Sequence, residues 1–420
     1  MTQQGYALDR QLPHGLTDLF FEQAAAKVAL ERILEETFQR WGYTRIIPPT
    51  FEYYESLATE VSPQIQEDMY RFFDREGHIL ALRPDMTVPV ARVVATKLYD
   101  QELPLRLYYV GNVFRYEEPQ AGRRREFTQA GIELVGAGTP EADAEVVAVA
   151  VAALRAMGVT NFQINLGQVA FLQAILSEIG LTNGASRRLE QAIDRKNDVE
   201  LRMVLADLGI TGDVASAIHA IPHLCGGREV LQQARRLAIN AAARQAIDYL
   251  EAVYALLQVE NVAEHVILDL GEIRHMAYYT GISFLGYVEG LGFPICGGGR
   301  YDTLIARFGQ SLPAVGFALG VERSLLVTRP QVNIASDVVM QSCQHAGCRA
   351  LAQAARNRGL RVTVDVLHCD EETLISHARR LGAPRVICCR GEGRCLLVEG
   401  DTRRELSYTA IEEAMDTWNR

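Results

Sequence analysis

Three stretches of this chain combine residue types that can do chemistry. Phe114-Arg115-Tyr116-Glu117 closes one strand-like run, and Gly122-Arg123-Arg124-Arg125-Glu126-Phe127 opens the next. Alternation along a strand puts Arg115 and Glu117 on one face. There a guanidinium can grip a phosphate through two parallel hydrogen bonds while a carboxylate orients an amine. The same pair also suits a cross-strand salt bridge, and three consecutive arginines suit a solvated loop. In Cys296-Gly297-Gly298-Gly299-Arg300-Tyr301-Asp302, glycines let backbone approach a ligand without Cβ obstruction, although Gly-rich turns are common. In the third stretch, Gly316 to Arg323, an apolar strand runs into a helix with Arg323 near its start. A cation at a helix N-terminus opposes the macrodipole, which points to an anionic ligand.

Metal chemistry has weaker signals. Six of the eight cysteines, Cys343, Cys348, Cys369, Cys388, Cys389 and Cys395, fall in the last fifth without C-x-x-C spacing. They read as reduced thiols; zinc among Cys343, Cys348 and Cys369 is conceivable, but buried free cysteine is common. His219 and His223 stand at i, i+4 with Cys225 nearby, yet Pro222 breaks the helix between them. The expectation is no metal and no cofactor.

The elements that must position these residues follow from periodicity. Helical spacing over 20–41 leads through Gly42 to a short strand at 45–47 and a stop at Pro48-Pro49. Two short strands at 70–73 and 79–82 precede a helix after Pro84. Long strands at 106–117 and 125–136 flank a loop with Pro119 and Gly122. A helix at 141–157 is apolar nearly all round and belongs under a sheet. A helical insertion occupies about 186–258, and strands resume at 265–270, 279–287 and 314–320. Beyond Arg329-Pro330 strands and helices alternate: strand 337–341, helix 349–358, strand 361–366, helix 371–381, strand 385–389. The fold class is α+β. A six- or seven-stranded, mainly antiparallel sheet core with a helical insertion spans 1–330, and a C-terminal α/β domain spans 331–420.

Bulk properties narrow the function. At 420 residues and 48% hydrophobic content, two or three packed domains are expected. A net charge of -10 and the absence of lysine from the last domain argue against a broad phosphate-binding surface, so tRNA is not an expected partner. Residues 1–15 lack a signal-peptide core, and the apolar stretch around 146–154 is far shorter than the roughly 20 residues that span a bilayer. A cytoplasmic protein without membrane contact is the expectation.

In this order the pieces resemble the class II aminoacyl-tRNA synthetase core: 20–49 is similar to motif 1, the Arg115 hairpin to motif 2, and the strand-helix ending in Arg323 to motif 3. Leu82-Arg83-Pro84-Asp85-Met86-Thr87, Ile273-Arg274-His275-Met276-Ala277-Tyr278-Tyr279 and the Cys296 to Asp302 run sharpen the resemblance to the histidyl-tRNA synthetase family over residues 1 to about 330. It implies that Arg115 and Arg323, with Glu117 and Arg125, mark a phosphate or nucleotide seat. It further implies that Arg274 stabilises charge at a carboxylate, and that Asp85, Thr87, Gln129, Glu133, Tyr278 and Tyr279 line a histidine pocket.

Departures from the family pattern decide the branch. Asp85 stands in place of Glu, which draws a carboxylate back by one methylene. Ala277 stands in place of Asp, Leu285 in place of Glu, and Arg124 in place of Tyr. A misplacement of about 1 Å can cost on the order of 100-fold in rate. The chain resembles the family's regulatory branch, whose members bind short-form catalytic subunits of ATP phosphoribosyltransferase and make feedback by L-histidine a property of the complex. The resemblance implies a homodimer within a hetero-oligomer that catalyses nothing by itself. The rival reading is an active histidyl-tRNA synthetase.

Overall fold

Helix α1 (Phe21–Arg40) buries Leu30, Leu34, Thr37 and Phe38 along one stripe. It ends in a Schellman turn: Gly42 N–H bonds Gln39 O at 3.0 Å, Tyr43 N–H bonds Phe38 O at 3.1 Å, and Gly42 takes φ 82°. The computed structural model describes residues 11–58, 62–116, 124–181, 183–273 and 279–418. The chain divides into two units, Met1–Gln331 and Val332–Arg420.

After α1 come β1 (Thr44–Arg45), β2 (Phe51–Tyr53), the short helices α2 (Tyr54–Leu57) and α3 (Pro63–Glu67), the hairpin β3 (Arg71–Phe73) and β4 (Ile79–Leu82), and α4 (Thr87–Lys97). The long hairpin β5 (Leu105–Phe114) and β6 (Glu126–Val135) leads to α5 (Pro140–Ala156), β7 (Phe162–Gln168) and α6 (Val169–Leu176). The insertion holds α7 (Asn183–Asp194), α8 (Asp198–Asp207), α9 (Gly212–Ala220), β8 (Cys225–Gly226), α10 (Glu229–Leu237) and α11 (Ala241–Val259). Strands β9 (Val266–Asp269), β10 (Ile282–Val288), β11 (Cys296–Arg300) and β12 (Ala314–Gly320), then α12 (Val321–Ser324), complete the unit.

Nine strands form one sheet in the order β1-β5-β6-β12-β11-β10-β7-β9-β8. The β1/β5 and β7/β9 pairs are parallel and the rest antiparallel. This exceeds the six or seven strands expected from sequence. The insertion is not purely helical, since β8 joins the sheet edge against β9. The Cys296 run is a central strand, not a turn.

The two faces of this sheet differ sharply. One carries Tyr108, Ile132, Leu134, Phe284, Val315, Phe317 and Leu319, all buried in a core shared with α1 and the apolar α5. On the other, register sets Gln129, Gly131 and Glu133 beside Gly320, Ala318 and Gly316, and beyond them Gly299 and Gly297. The small sheet β2-β4-β3 and α4 share a second core with Leu107, Tyr109 and Tyr301 beside this glycine-floored face.

In the C-terminal unit, β13 (Val338–Met340) lies between parallel neighbours β14 (Val362–Val364) and β15 (Arg385–Gly391). Two strands not read from sequence, β16 (Arg394–Glu399) and β17 (Thr402–Ser407), extend the sheet antiparallel to β15. Helices α13 (Ala346–Asn357) and α15 (Tyr408–Met415) cover one face and α14 (Glu371–Arg380) the other.

Candidate functional site

Glu133 is the centre of the glycine-floored face. It is 1% exposed, and the hydroxyls of Tyr301 and Tyr109 donate to its two carboxylate oxygens, the latter at 3.2 Å. The Thr87 hydroxyl joins the same network. Burial pushes the Glu133 carboxyl up to about 7, against the pull of those hydroxyls, and the neighbouring Asp85 adds to the rise. Burial also raises the phenols of Tyr109 and Tyr279, so both stay neutral donors. The Tyr279 ring packs close to the floor, so that a methyl on Gly299 would stand 2.8 Å from it.

The turn before α4 supplies the rest. Asp85 Oδ1 caps that helix by accepting from Val88 N–H at 3.1 Å. Burial raises its pKa, while the adjacent Arg115 guanidinium pulls it down. Gln129 Oε1 accepts from Met86 N–H at 3.1 Å, tying β6 to the same turn. Leu285 faces Gly297 across the β10/β11 pair, so the end of the floor where the family carries an acid is apolar here.

The arginines have partners within the protein. Arg115 Nε donates to Pro84 O at 2.8 Å, and its guanidinium sits 5.5 Å from the Phe127 ring centre. Arg125 lies 3.9 Å over the Tyr116 ring. Arg323 Nη1 reaches Pro294 O at 3.4 Å and stacks 5.3 Å from Phe293. Glu117, Arg274 and Tyr278 lie outside the described residues, as do Arg123 and Ala277.

Sequence reasoning gave no role to Arg83 or Tyr301. Arg83 is 6% exposed and donates to the carbonyls of Asn112 (2.7 Å), Pro48 (2.8 Å) and Pro49 (3.1 Å), pinning the double proline to the long hairpin. In the Cys296 to Asp302 run, Tyr301 reaches Glu133, whereas Arg300 turns into a buried ion pair with Asp143 of α5. The glycines there serve strand packing, since a methyl on Gly298 would stand 2.3 Å from Gly316 O.

Two metal readings also change. His223 Nε2 pairs with Asp198 Oδ1 at 2.8 Å, and His219, His223 and Cys225 form no ligand cluster among the described residues. Cys343 and Cys348 do converge, but with Cys389; the Cys369 backbone N–H instead bonds Asp365 at 2.8 Å.

The groups gathered on this floor are two carboxyls and neutral phenols, a set whose chemistry complements N–H donors and positive charge. Comparison with known proteins identifies the family. The family model described as histidyl-tRNA synthetase matches residues 15–323. An ATP phosphoribosyltransferase regulatory subunit of Thermoanaerobacter sp. (strain X514) is 43% identical over 320 residues, 76% of this chain and 83% of that protein. One from Desulforamulus reducens is 40% identical over 391 residues, 91% of this chain and 97% of that protein. A crystal structure from Bacillus halodurans C, described as an ATP phosphoribosyltransferase regulatory subunit/histidyl-tRNA synthetase, superposes with TM-score 0.81 at 31% identity over 91% of this chain and 98% of that one. Histidyl-tRNA synthetase from Nostoc sp. PCC 7120 shares the fold, with TM-score 0.79 at 21% identity over 97% of this chain and 99% of that one. The chain therefore belongs to the histidyl-tRNA-synthetase-like family, in the branch of the ATP phosphoribosyltransferase regulatory subunits.

Proposed function

We propose that this protein is a non-catalytic subunit that joins short-form catalytic subunits of ATP phosphoribosyltransferase, the first step of histidine biosynthesis, and makes the complex responsive to L-histidine. One relationship carries the reading. Asp85 and Arg115, the groups that should grip a substrate amine and a nucleotide phosphate, are both engaged on one turn, where the guanidinium charge acts on the acid. The acid caps α4 and the arginine holds Pro84 O. Around them Glu133, Thr87, Gln129 and Tyr279 keep a polar seat for histidine. No cofactor enters this scheme.

Regulation requires only that histidine bind one state of the complex better than another, and a coupling of about 1–3 kcal/mol suffices. The homodimer expected through the motif 1 region is supported by exposed Phe21, Val28 and Ile47. Exclusion of tRNA is supported by the C-terminal arginines, many of which face acids: Arg361 with Asp337, Arg385 with Glu399, Arg403 with Glu372. Among the described residues no helix is long and apolar enough to cross a membrane, in keeping with the cytoplasm as its place.

The test adds the purified chain to a short-form catalytic subunit and measures ATP phosphoribosyltransferase activity with and without histidine. Activation that histidine reverses supports the reading, and Glu133→Gln is expected to weaken histidine's effect at least tenfold. Histidine-dependent exchange of pyrophosphate into ATP by the chain alone would establish the synthetase instead.

A further inference from the structure

The C-terminal unit gathers sulfur from four separated positions. Cys343 follows β13, Cys348 lies in the first turn of α13, Cys389 sits where β15 bulges, and Cys395 is its direct partner across the β15/β16 pair. The Sγ atoms of Cys343, Cys348 and Cys389 all lie within 4.8 Å of one another. Cys395 is fully buried, and the register turns it to the same side of the sheet as Cys389. We propose that Cys343, Cys348, Cys389 and Cys395 form a thiolate site for a thiophilic cation, Zn2+ foremost.

Donor chemistry selects the ion class. An all-sulfur tetrahedral set is the preference of Zn2+ and not of Mg2+ or Ca2+, which take oxygen. With Zn–S bonds of about 2.3 Å, a tetrahedron holds its sulfurs roughly 3.8 Å apart. The three grouped sulfurs therefore need to close by about 1 Å at most. The spacing follows a recognisable logic, with a C-x4-C pair from a loop and helix start and a C-x5-C pair from a hairpin.

Simple core packing explains buried sulfur, but it does not require polar groups aimed at it. Here Gly391 N–H donates to Cys389 Sγ at 3.4 Å, and Tyr408 Oη lies 3.2 Å from Cys348 Sγ. Hydrogen bonds to sulfur are the outer contacts that hold a metal thiolate in place. The first turn of α13 adds favourable dipole for a Cys348 thiolate. The remaining cysteines of this unit mark the contrast: Cys388 packs on the opposite face with Leu374, and Cys369 sits by Asp365. On binding, each thiol gives its proton to solvent and its sulfur lone pair to the ion, so the metal ties α13 to the β15/β16 hairpin and its affinity falls with falling pH.

The experiment is metal analysis of the full chain, purified tag-free under reducing conditions, followed by titration of the chelator-treated protein with Co2+. The expected results are bound zinc at one ion per chain, and cobalt spectra with thiolate charge-transfer and tetrahedral d–d bands. Cys343→Ser and Cys389→Ser are expected to lose both signals, while Cys369→Ser and Cys388→Ser keep them. The wild-type titration does not depend on any variant folding. Absence of zinc together with absence of cobalt–thiolate bands overturns the proposal, as does zinc retained by a folded Cys389→Ser chain. A Cys343 to Cys389 disulfide in the isolated protein, with no metal uptake after reduction, also overturns it.

Discussion

Gly316 stands directly opposite Glu133 in the β6/β12 ladder, and a methyl group on Gly316 would lie 1.8 Å from Glu133 Oε2 and 2.5 Å from Ile132 O. The buried carboxyl thus occupies the space that a side chain on the neighbouring strand would fill. Gly316→Ala is expected to destabilise the chain by at least about 3 kcal/mol, the upper range of overpacking, because one obstacle is backbone. Urea unfolding of the variant checks this. A loss below about 1 kcal/mol would mean that neither the Glu133 side chain nor the β6 backbone is held as close to Gly316 as the ladder places them.

The raised pKa of Glu133 makes stability depend on pH with a definite sign. The folded group titrates at about 7 against 4.5 when unfolded, so between these values the folded state binds more protons. Stability attributable to protonated Glu133 is complete below pH 4.5 and is lost as pH rises through 7, by about 3 kcal/mol in all. Glu133→Gln removes this titration. The difference in unfolding free energy between wild type and Glu133→Gln is therefore expected to shift in favour of the variant between pH 4.5 and 7.5. An unchanged difference would show that Glu133 is ionised with full compensation.

Much of this architecture was legible because periodicity reports burial directly. The stripe of Leu30, Leu34 and Phe38 and the nearly all-apolar α5 declare helices against a sheet. β11 was missed because Gly297, Gly298 and Gly299 have no strand propensity of their own; they are needed because Gly316 O, Phe317 and Tyr279 crowd them, which is tertiary information. The candidate site residues Thr87, Gln129 and Glu133 came from family resemblance. Tyr301 stayed hidden because its partner Glu133 is 168 residues away, and Cys389 was overlooked for Cys369 because only the packing of α13 against the C-terminal sheet shows which sulfur lies beside Cys348.

Arg83 is expected to matter for folding and not for ligand contact. Its guanidinium serves three carbonyls at once, from Pro48, Pro49 and Asn112. Arg83→Met leaves these buried acceptors without donors, at about 1–3 kcal/mol each before relaxation, and a loss of roughly 4 kcal/mol is expected. Arg83→Lys should recover less than half, since an ammonium cannot reproduce the planar fork. Chemical denaturation of the three proteins checks the order wild type, Lys, Met. Equal stability of the Lys and wild-type proteins would reduce Arg83 to a point charge.

The Arg300 and Asp143 pair offers a sharper test, because both partners are nearly inaccessible at 5% and 0% exposure. Arg300 also reaches Asp302 and the Ala137 carbonyl, so its positive charge has three acceptors while Asp143 depends chiefly on Arg300. Arg300→Met strands a buried carboxylate, whose pKa burial already raises, and is expected to cost about 3–5 kcal/mol at neutral pH. The double change Arg300→Met with Asp143→Leu removes both charges and should recover most of that loss, because burying two charges had cost desolvation on each side. Lowering the pH toward 4 should also rescue the single variant, since protonating Asp143 abolishes the stranded charge, whereas the double variant has nothing to gain. Thermal unfolding of wild type, single and double variants at pH 4 and 7 separates the cases. If the single variant stays as unstable at pH 4 as at pH 7, the pair holds β11 to α5 through the geometry of the guanidinium and not through charge.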